Sequence, residues 1–258
     1  MTKKKKIIIG SILAPLLVLA IALAVVWITN PWLIREGMIY AEYVIHGNRS
    51  SSGVDARNVK VDGIDVSHHN GWIDWKKVSA NKNIKFVYVK ATQGVGYQDP
   101  MFRRNVKDAR NAGFEVGVYH FFTKKSSGKK QFEYFKKTVR HKYIGTIIPM
   151  VDVEYVGVGG MGASNLRREL KEFCQLIAKE YGRKPVIYTN SGIYNDWFKG
   201  EFDDHYIWIS RYGIKPNLKN NAKHNIWQFT EHGCVDGICG YTDLNAFSGD
   251  MSIDKLKF

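Results

Sequence analysis

The chain is poor in cysteine and in acid, and it carries no internal repeat. Its three cysteines argue against a zinc module, because Cys234 and Cys239 bracket only "VDGI" with no second ligand pair to complete a tetrahedral set. Outside the cytoplasm these two are expected to form a short disulfide. Cys174, in "LKEFCQLIAKEYG", lies on an apolar helical stripe and reads as a small buried hydrophobe. Asp and Glu together number 24 against 38 Lys and Arg, so the formal charge is +14. Such an exterior favours anionic partners. No nucleic-acid motif accompanies the charge, and the densest run, "KKSSGKKQFEYFKKTVRHK" at 124–142, reads as a solvated helix face. No nucleic-acid partner is expected.

One long hydrophobic run is present. Lys3–Lys6 precede an apolar stretch from Ile7 to Thr29, long enough to cross a bilayer at about 20 residues. It exceeds the usual apolar core of a secretory signal, although Ala22-Leu23-Ala24 offers a small-residue cleavage site. Trp27 and Trp32 suit the far membrane interface, and the lysines belong in the cytoplasm by the positive-inside rule. Residues 1–29 are therefore expected to be a basic tail and single-pass anchor, with the remainder outside the cytoplasm. A secreted form would result from cleavage. Residues 30–60, including the Ser/Gly-rich "NRSSSGVDARN", read as a juxtamembrane segment and flexible linker. Residues 61–258 suffice for one catalytic-sized domain, expected to act as a monomer.

After Val61, eight strand-like runs recur: "VDGIDVSHH", "IKFVYVKAT", "FEVGVYHFF", "TIIPMVDVE", "PVIYTN", "YIWISRY", "NIWQFT" and "YTDLNAF". Helix-like stretches separate the first five. The clearest, 166–182, places Leu166, Leu170, Phe173, Cys174 and Ile177 on one face and ends at Gly182. Strands alternating with helices imply a parallel sheet covered on both faces. Five βα units followed by three strands with little helix imply a modified (β/α) barrel, whose reactive groups would sit at the C-terminal strand ends. Polar residues collect at those ends: Asp65 with His68 and His69, Tyr119 with His120, Asp152 with Glu154, Tyr188, and Arg211 with Tyr212. In "MVDVE", Asp152 and Glu154 share one face with α-carbons about 6.6 Å apart. Like charges this close separate their pKa values and so create an acid and a base. Strand alternation lets at most one of His68 and His69 reach such a site. No metal site is expected from the histidines, and no cofactor is implied.

Taken in order, "DGIDVSHHNGWIDWKKV", "FVYVKATQGVGYQDPMFRRN", "AGFEVGVYHFF", "PMVDVE", "PVIYTN", "IWISRY", "IWQFT" and "YTDLNAF" resemble glycoside hydrolase family 25. The resemblance implies a lysozyme (N-acetylmuramidase) that cuts the β-1,4 bond between N-acetylmuramic acid and N-acetylglucosamine in peptidoglycan glycan strands. By position, it places the family's acidic cluster on Asp65, Asp152, Glu154 and Asp243. It makes Glu154 the general acid, with Asp152 an electrostatic partner, an orienter of the substrate's acetamido group, or a nucleophile. Tyr119 and Tyr188 face the substrate in this reading, and Tyr212, Trp208 and Trp227 are further candidates for contact with sugar. One departure stands out: Gln93, in "KATQG", occupies a position where many relatives carry glutamate.

Two alternatives remain open from the residues alone. A chitinase-like enzyme acting on N-acetylglucosamine polymers would meet the same acetamido group. A non-catalytic glycan-binding module would keep the groove, but loss of Asp152 or Glu154 would signal it, and both are present.

Overall fold

The computed structural model describes residues 59–258. The expected anchor and all but the last two residues of the linker lie outside the described residues. Within them, all eight strand-like runs form strands, and a ninth, two-residue strand joins them. They are β1 (Gly63–Val66), β2 (Phe86–Gln93), β3 (Tyr97–Gln98), β4 (Glu115–Phe121) and β5 (Met150–Val153). Then follow β6 (Val186–Asn190), β7 (Ile207–Ser210), β8 (Ile226–Gly233) and β9 (Thr242–Phe247). The sheet runs β1-β9-β8-β7-β6-β5-β4-β2-β3, and pairing of β1 with β2 closes eight of these strands into a barrel. β3 folds back on the end of β2 as a hairpin arm.

Apart from the β3 arm, the strands from β1 to β8 pair in parallel, as alternation with helices implies. β9 differs, running antiparallel to both β8 and β1. Parallel pairing requires a crossover of a dozen or more residues, and the segment between β8 and β9 is too short to supply one.

Helices cover the early strands. They are α1 (Trp75–Val78), α2 (Phe102–Asn111), α3 (Gly128–Tyr143), α4 (Tyr155–Val158) and α5 (Ala163–Tyr181). On α5, the five apolar residues anticipated from the sequence are all buried, and Gly182 ends the helix in the left-handed region at φ 77°. A side chain there would be strained. Between β7 and β8 only a single 3-10 turn occurs, and none lies between β8 and β9.

Strand alternation divides the apolar residues between two cores. Val87, Val89, Val116, Val118, Val151, Val153, Ile187 and Ile209 face outward and pack with the helices. Phe86, Tyr88, Met150, Val186, Trp208 and Ile226 point inward and fill the barrel. Two glycines make room for this filling. A Cβ on Gly63 would lie 2.3 Å from the Phe86 ring, and one on Gly117 would lie 2.4 Å from the Tyr88 ring. The barrel is thus packed solid below, which confines any reactive groups to its mouth.

Candidate active site

The inward faces of the strands end in polar residues at the C-terminal mouth. Asp65 on β1 stands opposite Asp243 on β9 in the antiparallel register. Asp152 on β5 lies beside Tyr188 on β6. Glu154 is the first residue beyond β5 and keeps an extended backbone (φ −120°, ψ 154°), so the alternation continues and its side chain follows Asp152 upward. Asp152 is buried and Glu154 half-buried, so the glutamate stands at the rim and the aspartate beneath it.

Asp65 is the most elaborately held of the four. Its Oδ2 accepts from Gln228 Nε2 at 3.0 Å and from Asn245 Nδ2 at 2.8 Å. Gln228 is fixed in turn, because its Oε1 accepts from the hydroxyls of Tyr188 (2.8 Å) and Tyr212 (3.0 Å). Asn245 Oδ1 accepts from Trp208 Nε1 at 3.1 Å. The hydroxyl and indole donors on their oxygens orient both amides with nitrogen toward Asp65, so Asp65 is presented with donors that favour its charged form. Burial acts the other way and leaves its pKa raised, the two amides and Asp243 offsetting part of the effect.

The remaining acids are raised as well. Burial lifts Asp243 well above the usual carboxylate range, with the Asp65 charge adding to it. The proximity of the two carboxyls favours the ionised form of Asp65 and the protonated form of Asp243. Asp152 is also pushed well up, first by burial and then by Glu154. Glu154 is raised by burial and by Asp65, with Lys90 pulling it back. Of the Asp152 oxygens, Oδ1 is buried without a hydrogen-bond partner among the described residues. Four carboxyls with raised pKa values, held within one small mouth, can keep a proton available near neutral pH.

The tyrosines expected at the mouth are there. Tyr119 and Tyr188 are buried on inward positions, and Tyr212 is half open to solvent above Gln228. The two tryptophans are not placed for sugar contact. Trp208 is wholly buried inside the barrel, with Tyr88 at 5.3 Å and Tyr188 at 5.6 Å between ring centres, so it forms the floor under the acids. Trp227 falls on the outward face of β8, packs on Phe229 and donates Nε1 to Arg211 O at 2.8 Å. Neither ring has a face open to the mouth, which corrects the expectation for both. Large aromatic residues satisfy the packing needs of a barrel first, and sequence alone does not separate inward from outward positions.

The histidines lie away from the acids. His68 and His69 sit on a 3-10 turn rather than in β1, so strand alternation does not apply to them. Asp99, fully buried, accepts from His68 Nδ1 at 2.8 Å and from the His68 amide at 3.0 Å. His120 faces the outer core between Thr92 Oγ1 (2.7 Å) and Gln131 Oε1 (3.1 Å), stacked on Phe173. Its burial there lowers its pKa to about 4 and keeps it neutral. Sequence reasoning passed over Gln228, Asn245 and Lys90. Their signal was available: each is a polar residue on the inward phase of its strand, in step with a large inward apolar residue two positions away. A cavity of about 940 Å³ lies elsewhere, lined by Arg183, Lys184, Asp204, Tyr206 and Asn225, and it gathers none of the four acids.

The family model described as "Glycosyl hydrolases family 25" matches residues 64–238. The chain belongs to this family. It is a glycoside hydrolase of family 25, and the closed eight-stranded α/β barrel matches solved structures of that family. A family 25 glycosyl hydrolase from Bacillus anthracis superposes with a TM-score of 0.70 at 29% identity, covering 79% of this chain and 96% of that one. A bacterial lysozyme from Streptomyces coelicolor gives 0.66 at 29% identity, covering 77% and 96%. By sequence, Lysozyme M1 of Streptomyces globisporus is 31% identical over 205 residues, 74% of this chain and 69% of its own length.

Proposed function

We propose that this family 25 hydrolase is a membrane-anchored muramidase, cleaving the β-1,4 bond between N-acetylmuramic acid and N-acetylglucosamine in peptidoglycan. The convergence of Asp65, Asp152, Glu154 and Asp243 at one barrel mouth, all with raised pKa values, carries this reading. Relatives named lysozymes support the choice of substrate.

Glu154 is the general acid. It stands at the rim, where a glycosidic oxygen can reach it, and burial together with Asp65 favours its protonated form. Asp152 lies one inward position deeper, under the sugar whose ring gains positive charge. Its unpartnered Oδ1 is free to accept a hydrogen bond from a substrate group such as an acetamido N–H, which places Asp152 to orient that group against the reacting carbon. Asp65, held by the Gln228 and Asn245 amides beside Asp243, supplies a negative field that keeps the proton on Glu154. Tyr119, Tyr188 and Tyr212 border the bound glycan. The anchor keeps a single copy of the enzyme at the membrane with its barrel outside the cytoplasm. Support for this part comes from the lysine-flanked apolar stretch alone.

The test is digestion of purified peptidoglycan, with the new reducing end identified by mass spectrometry. Reducing N-acetylmuramic acid is the expected product. Reducing N-acetylglucosamine, or cleavage of chitin oligomers with intact peptidoglycan, would refute the muramidase assignment. Binding without any cleavage would turn the mouth into a glycan-binding module.

A further inference from the structure

Among the described residues, Lys90 is the one basic residue of the barrel's inner face near the acids, on β2 beside Tyr119 of β4. It is only 8% exposed. Its Nζ donates to the side-chain oxygen of Gln93 at 3.0 Å and lies 4.8 Å from the centre of the Phe121 ring. Both partners are electrically neutral. A glutamate at 93 would instead form a salt bridge with Lys90 and cancel much of its field on its neighbours. The glutamine fixes the ammonium in place without spending its charge.

We propose that Lys90, positioned by the neutral Gln93 amide, is the cationic counterpart of the Asp152–Glu154 pair and sets the pH at which the general acid loses its proton. This rests on the acid–base role given to Glu154 above.

The groups facing the pair come from every side of the mouth. Lys90 on β2 is the cation, its Nζ over the ring of Phe121, which pairs with Asp152 in the β4–β5 register; Asp65 on β1 and Glu231 on β8 supply negative charge, and Asp243 on β9 and the Tyr188 hydroxyl on β6 stand alongside. Lys90 itself is faced by Asp152, Glu154 and Asp99. Burial draws its pKa down, and those three carboxylates oppose the loss of its proton. A buried cation among acids favours their ionised forms, so it counteracts the upward push of burial on both Asp152 and Glu154. Without it, both would hold their protons to higher pH. With a salt-bridged Lys90 the same follows in weaker form. The identity of residue 93 thereby acts as a control on the pH range, at a position that need not touch substrate.

The pH–rate profile of the detergent-solubilised full chain on soluble peptidoglycan fragments decides this. Gln93→Glu and Lys90→Met should each move both limbs of the profile to higher pH, Lys90→Met by about one pH unit and Gln93→Glu by less. Gln93→Glu retains a bonded Lys90, so its fold is protected even if Lys90→Met proves unstable. Limbs that stay in place in a folded, active Gln93→Glu enzyme would overturn the proposal, as would a shift to lower pH. Carboxyl-carbon NMR titration of Asp152 and Glu154 in wild type and Gln93→Glu reads the same coupling without turnover. An inactive wild type would therefore sink the hydrolase mechanism while the titration still showed whether Lys90 sets the pair's pKa values.

Discussion

Gln228 ties the acid cluster together, and its replacement by leucine gives a prediction with a magnitude. The two side chains have similar size, so the change removes polar contacts with little cavity formation. Three bonds disappear. The donor to Asp65 Oδ2 is a bond to a charged group, worth about 1.5–3 kcal/mol. The Tyr188 hydroxyl, 5% exposed, loses its acceptor in a dry site, at about 1–3 kcal/mol. Tyr212 is 40% exposed and can turn to water, so its loss adds little. The expected destabilisation is about 3–5 kcal/mol, or roughly 10 °C in Tm for a domain of this size.

Its pH dependence has a definite sign. Asp65 has a folded pKa above its ordinary value of 3.8, so between the two values the folded chain binds a proton that the unfolded chain has released. Stability from this group therefore falls as pH rises through that window. Removing the Gln228 donor raises the folded pKa further, so the variant should lose more stability near pH 7 than near pH 4. Urea unfolding at both pH values measures the difference. An equal loss at the two, or a loss below about 1 kcal/mol at neutral pH, would mean that Gln228 does not hold a charged Asp65.

Three further outcomes are expected. Glu154→Gln should leave thermal unfolding unchanged while cutting turnover at least ~10²-fold, because the amide cannot donate the acid proton; retention of a substantial part of wild-type turnover would remove Glu154 from that role. Trp208→Ala should destabilise the fold by about 3–5 kcal/mol in chemical denaturation, as expected for a wholly buried indole on the barrel floor; a normal unfolding curve with a raised KM would instead return it to the substrate site. The full-length protein should sediment with membranes, and a reporter fused after Phe258 should be active outside the cytoplasm, whereas a soluble form beginning near Val25 would show cleavage.

The primary sequence by itself determined the architecture's units and the site's carboxyls. Each of the eight barrel strands carries a run of β-branched and aromatic residues between turn residues, and each formed where that pattern stood. The α5 stripe was equally legible, because helical periodicity and a terminal glycine are local properties of the chain. The spacing put Asp152 and Glu154 on one strand face, and the family resemblance grouped them with Asp65 and Asp243. Tertiary structure decided what local pattern leaves undefined. Whether a tryptophan faces the barrel lumen or the helix layer depends on strand phase within a closed sheet, and so Trp208 became floor and Trp227 outer wall. The direction of β9 followed from the length of one connection and the geometry of closure. The partners of Asp65 lie 163 and 180 residues away along the chain, on β8 and β9, and only barrel closure brings Gln228 and Asn245 to it. Lys90 reads in the sequence as one of 38 basic residues; burial beside a neutral glutamine and three acids is what gives its charge a task.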